Sequence, residues 1–147
     1  RPYRNLSKEV ELLAFCLMPN HYHLLIYQYA EDGMTQLLRS VATAYSGYYN
    51  KKYNRIGRLF QDAFKASAID SEPYLEHISR YIHLNPKDWR TWEWSSLPYY
   101  SGKKTADWVK HQKVSEIFEN EDYLEFVADY ESHKDMLDKI KHSLADH

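Results

Sequence analysis

Apolar and polar positions along the chain predict a compact order of elements. Glu11–Leu17 is apolar and reads as a strand, and Met18-Pro19-Asn20 reads as a turn, because proline fixes φ and asparagine tolerates turn geometry. His21–Gln28 follows as a second, antiparallel strand. Its alternation sets His21 and His23 on one face and directs Tyr22, Leu24 and Ile26 to the opposite, core face. Asp32-Gly33 breaks the strand. From Met34 to Asn50, residues Leu37, Leu38, Val41, Tyr45, Tyr48 and Tyr49 recur at helical spacing. A polar, basic loop runs through Gly57, and Ala63–Ile69 is expected to be a strand. Asp70-Ser71-Glu72-Pro73 carries a capping side chain, an early acid and a first-turn proline, and so starts a helix. That helix runs to Leu84, where Asn85-Pro86 ends it, since the residue before proline is pushed out of the α region. Lys87–Gly102 reads as an aromatic-rich irregular segment, and Lys113–His142 as mostly helical.

Composition narrows the class. The 147 residues suffice for a core without disulfide staples, and the single cysteine, Cys16, fits a reducing compartment and a packed core thiol. No apolar stretch approaches the roughly 20 residues that span a bilayer. The net charge of −2 hides a division: residues 116–147 hold ten acidic side chains against three lysines. Between Arg39 and Lys65, by contrast, Arg39, Lys51, Lys52, Arg55, Arg58 and Lys65 are opposed only by Asp62. Tyr45, Tyr48, Tyr49, Tyr53, Phe60 and Phe64 are interleaved with them. Basic side chains neutralise phosphates and aromatic faces stack unpaired bases. A solvated helix face with core aromatics beneath it has the same composition.

Two motifs carry candidate chemistry. His21 and His23, two apart on a strand, stand side by side as half of a divalent-metal site, or as two polar residues on a half-buried strand. Tyr74, Ile78, Tyr81 and Asn85 share a helix face, which reads either as a buried stripe or as a tyrosine presented for chemistry. A neutral tyrosine is a poor nucleophile unless its target is activated.

Met18-Pro-Asn-His-Tyr-His-Leu-Leu-Ile26, Gly57-Arg-Leu-Phe-Gln61, Phe64-Lys-Ala66, Ile69-Asp70 and Arg80-Tyr-Ile-His-Leu-Asn-Pro86 together resemble the single-tyrosine HUH transposases. Within that group they look most like bacterial REP-associated tyrosine transposases and their insertion-sequence relatives, and Trp92–Gly102 is similar to the segment after the catalytic helix. The resemblance implies that Tyr81 is the nucleophile, and that His21, His23 and Asn85 bind a divalent metal, Mg²⁺ or Mn²⁺. It implies single-stranded or hairpin DNA as partner, with Arg39, Lys51, Lys52, Arg55, Arg58 and Lys65 as the DNA-binding set. The implied activity is a DNA transposase, a single-strand endonuclease-ligase working by metal-assisted transesterification through a 5′-phosphotyrosine. His77, His83 and water are candidates to receive the tyrosine proton. The implied setting is the bacterial cytoplasm, at the nucleoid when bound to DNA.

The implied fold is α+β, a ferredoxin-like antiparallel sheet with helices on one face and a C-terminal helical extension. The chain begins too late to supply in full the strand and helix that precede these elements in the family. Residues 1–102 form the expected catalytic domain and 103–147 an acidic helical extension. Monomer and homodimer are both open. The alternative function is a non-cutting DNA-binding module of the same fold. An unrelated metal hydrolase is a third class, but barrel hydrolases with strand His-x-His pairs need about 250 residues.

Overall fold

The computed structural model describes residues 4–118, 122–130, 135–136 and 139–140. Contacts gather the chain into two compact units, one of Arg1–Val10 with Gln28–Lys65, the other of Glu11–Tyr27 with Ala66–His147. The fold is mixed α+β. Strands β1 (Val10–Leu17) and β2 (Tyr22–Gln28) form an antiparallel hairpin closed by the Met18 N–H donating to the His21 carbonyl at 2.9 Å.

β1 is the spine of the second unit. Leu13, Ala14, Phe15 and Cys16 are buried in succession, so this strand is covered on both faces. Burial pushes the Cys16 thiol up to about 11, which keeps it an inert core group. Along its other edge β1 makes single bridges to Ser95 and Val109. The Trp92 indole N–H donates to the Leu17 carbonyl (2.9 Å) and the Tyr100 hydroxyl to the Leu13 carbonyl (2.7 Å). The aromatic segment expected to be irregular is thus laced onto β1, and its last part winds into a short helix, α3 (Leu97–Tyr100).

Helix α2 (Glu72–His83) starts as its sequence predicts: Ser71 caps it by accepting from the Tyr74 N–H, and Pro73 sits in the first turn. Ile78 and Ile82 join Leu13, Cys16 and Leu25 in the core, together with Leu97 and Val127. One expectation is corrected here. Leu25, in register with His21 and His23, is the buried residue of β2, whereas Tyr22, Leu24 and Ile26 are only half-buried. Both faces of β2 are thus partly covered: the histidine face buries Leu25 beside α2 but leaves His21 and Tyr27 exposed.

One further correction concerns secondary structure. Residues 63–69 form no strand; no ladder partner pairs with them among the described residues, and most of their side chains are exposed. The segment from Lys113 is mostly helical, as expected, among the described residues. It breaks into α4 (Gln112–Ser115), a 3₁₀ turn (Glu116–Phe118) and α5 (Tyr123–Ala128), with Asp122 capping α5 through the Leu124 N–H. The remainder of that expected helix, at 119–121, 131–134, 137–138 and 141–142, lies outside the described residues.

In the first unit, helix α1 (Gly33–Lys52) extends the expected Met34–Asn50 by a residue or two at each end. A Cβ on Gly33 would come within 2.7 Å of the Glu9 carbonyl, so this close approach requires glycine. Beyond Gly33, Leu38 is the only fully buried residue of α1.

Candidate active site

β2 and α2 meet at three rings. The His21 and His23 rings lie edge-on with centroids 5.2 Å apart, and His23 meets the Tyr81 ring edge-on at 5.5 Å. The period-two strand places both imidazoles on one face, and the covering of that face by α2 brings Tyr81 to them. Asn20 is a member of the site that sequence reasoning passed over. Its Oδ1 accepts from His21 Nδ1–H at 2.7 Å, which leaves the His21 lone pair on Nε2. The adjacency of Asn20 to the histidine pair was the available signal.

Burial keeps His23 and Tyr81 neutral. Burial, and then the nearby His21, hold the His23 pKa below the ordinary imidazole value, so its lone pair is available at neutral pH. Burial also raises the Tyr81 phenol above the usual tyrosine range. Asn85 lies in the turn after α2, half-buried, with its backbone N–H on the Ile82 carbonyl. Among the described residues, no three His, Cys, Asp or Glu side chains gather into a cluster. Two imidazoles with their rings in contact still suit a divalent ion, provided that a neutral oxygen donor such as Asn85 completes the set.

Behind Tyr81, α2 carries a buried polar network. Tyr123 donates to Ser79 Oγ (3.1 Å), which donates to the Glu76 carbonyl (2.7 Å). His83 Nδ1–H therefore donates to the Tyr123 oxygen, and Nε2 accepts from Ser96 Oγ, each at 2.6 Å. Full burial pushes the His83 pKa down to about 3. With both ring nitrogens engaged and no exposed surface, His83 is excluded as the acceptor of the Tyr81 proton. Arg80, next to the tyrosine, is 0 % exposed. Its Nη1 donates to the carbonyls of Phe126 (2.9 Å) and Asp129 (3.3 Å), at the end of α5. Its Nη2 lies 2.9 Å from His77 Nδ1, so that nitrogen too is engaged.

The six basic residues expected to touch DNA belong to the first unit, and all are exposed. Arg55 is held by its own loop, through Asn50 Oδ1 (2.8 Å) and the Arg58 carbonyl (3.3 Å).

The family model described as "Transposase IS200 like" matches residues 4–85. The chain belongs to the IS200-like transposase family. This is the single-tyrosine family to which the histidine and tyrosine motifs pointed, and the match spans both. The transposase gave no match among curated proteins or solved structures. Its α3, α4 and α5 lie beyond the matched residues, yet they pack on the helix that carries Tyr81. No helix of the transposase, among the described residues, is long and apolar enough to cross a membrane.

Proposed function

We propose that this transposase cuts and rejoins single-stranded DNA through Tyr81, with a 5′-phosphotyrosine as the intermediate. The observation that carries this reading is the packing of Tyr81 against His23, which in turn stands beside His21. His21, His23 and Asn85 are the residues that would hold Mg²⁺ or Mn²⁺. Such an ion, when bound, supplies Lewis-acid polarisation of the scissile phosphate.

The Tyr81 oxygen forms a bond to phosphorus as the bond from phosphorus to the 3′ oxygen breaks. The phenol proton passes to water and the departing 3′ oxygen gains one, so the step consumes no net proton. Because burial raises the phenol's pKa, the proton leaves as the new bond forms rather than beforehand. Attack by a free 3′ hydroxyl reverses the step and rejoins strands without a nucleotide cofactor. His23 orients the tyrosine by its edge, and Asn20 orients His21.

The test incubates the protein, and Tyr81→Phe beside it, with Mn²⁺ and hairpin-flanked single-stranded DNA, followed by intact-mass spectrometry. The expected result is a covalent DNA adduct that disappears in Tyr81→Phe and with chelator. DNA binding and metal binding without any adduct would point instead to a non-cutting module of the same fold.

A further inference from the structure

The tyrosines of α1 do not form a core. Tyr45, Tyr48 and Tyr53 are 48, 59 and 56 % exposed, and Ile56, in the loop that follows, is 97 % exposed. Isolated exposed apolar residues are ordinary, but four within a dozen positions form a patch that requires a partner. The patch is ordered: Tyr45 lies 6.1 Å from Tyr49 and 6.4 Å from Phe60, and Tyr49 lies 4.5 Å from Tyr53. The loop beyond is clasped to the helix end. Asn50 Nδ2 donates to the Gly57 carbonyl at 3.0 Å, and its Oδ1 receives Arg55. Gly57, at φ +99°, permits the turn that this clasp needs.

Charge selects the partner. Residues 39–65 carry six cations and one acid, which disfavours an apolar protein surface and favours a polyanion. Lys52 Nζ lies between two of the exposed rings, 5.8 Å from the centre of Tyr48 and 5.5 Å from that of Tyr53. An ammonium beside two exposed rings offers a phosphate contact next to faces on which bases can stack. A duplex keeps its bases stacked inside and offers no faces to these rings.

We infer that the α1 patch of Tyr45, Tyr48, Lys52, Tyr53 and Ile56 is a stacking platform for unpaired bases of single-stranded DNA. This rests on the proposed function for the choice of DNA, and deepens it by placing strand binding on the first unit. The platform binds with little sequence preference, because every base has a face to stack.

The test measures fluorescence anisotropy of a labelled oligothymidylate of about 15 nucleotides with the full chain, in chelator so that no cutting occurs. An abasic oligomer of the same length serves as a control that has phosphates but no bases. Tyr48→Ala and Tyr53→Ala are each expected to weaken oligothymidylate binding about tenfold and to leave abasic binding unchanged, whereas Tyr48→Phe and Tyr53→Phe retain it. Equal binding of the two oligomers by the parent, or unchanged binding by the alanine variants, would overturn the platform. So would a DNA-independent dimer, seen by sedimentation, that Tyr48→Ala dissolves. A Tyr81 adduct formed alongside unchanged binding sinks the platform and leaves the proposed function standing; stacking without an adduct does the reverse. A parent chain that binds no single strand sinks both.

Discussion

Helices α1 and α2 carry tyrosines at the same helical spacing, yet they are built on opposite terms. In α2 even Ser79, Arg80 and His83 are completely buried, and each has a hydrogen-bond partner. In α1 Tyr45 and Tyr48 stand in solvent and Tyr49 is half-buried, and only Gly33 and Leu38 are buried. Spacing determines which residues share a face but says nothing of what covers it. α2 is covered by β2, α4 and α5, and most of its buried polar atoms are paired inside, Arg80 Nε excepted. α1 keeps its aromatic surface for something outside the chain.

The largest stability effect should come from the most deeply placed charge. Arg80→Met keeps the volume but orphans the carbonyls of Phe126 and Asp129, at a cost of about 3–4 kcal/mol for two charge-assisted bonds. In a chain of this size the thermal midpoint should fall by roughly 6–16 °C. Arg55→Met, in the exposed loop after α1, should move the midpoint by no more than about 2 °C. Equal shifts in the two variants, by differential scanning calorimetry, would erase the contrast between the helices.

Tyr123→Phe removes one oxygen and tests the network rather than the packing. The His83 Nδ1–H loses its acceptor in a dry environment, which costs about 2 kcal/mol, while the Ser79 hydroxyl keeps its bond to the Glu76 carbonyl. Urea unfolding should show a lower midpoint with an unchanged slope.

Legibility differed in the same way between the two regions. Strand β1, the turn at Pro19, the caps of α2 and the tyrosine–histidine motif were all readable, because each depends on local chemistry or on strict spacing. The faces of β2 were only partly readable: alternation defines two faces, but tertiary contacts bury Leu25 on one and half-cover Tyr22, Leu24 and Ile26 on the other. Residues 63–69 carry apolar and aromatic side chains suited to a strand, but no ladder partner pairs with them among the described residues. The pairings of Arg80 with α5 and of His83 with Tyr123 and Ser96 bridge 13 to 49 positions, beyond the reach of any spacing rule.

The buried network also makes α2 sensitive to acid in a way that α1 is not. His83 has a pKa of about 3 when folded against an ordinary 6.5, so the unfolded chain takes up this proton first as the pH falls. Its stabilising effect is complete above pH 6.5, and is lost on acidification at about 1.4 kcal/mol per pH unit until the folded group titrates. Tyr100 and Tyr123, whose rings contact His83, stay neutral throughout, because burial raises both phenols. Denaturant midpoints measured from pH 7 to pH 5, above most carboxylate titrations, should fall steadily in the parent. His83→Gln, less stable at pH 7, should show a flatter dependence, and an equal slope would mean that the proton is taken up elsewhere.

The smallest expected stability effect is the most telling for α1. Tyr48→Ala removes a large aromatic ring, and a buried ring of that kind costs about 3–5 kcal/mol when truncated to alanine. Tyr48 is 59 % exposed and lies near Tyr45 and Lys52, so the change in unfolding free energy should stay within about 0.5 kcal/mol. Unaltered stability together with weakened strand binding would mark the ring as a contact surface. A loss of about 2 kcal/mol or more would instead mean that Tyr48 packs against the chain in solution. In that case α1 would be a core helix like α2, and the difference between them would be one of degree.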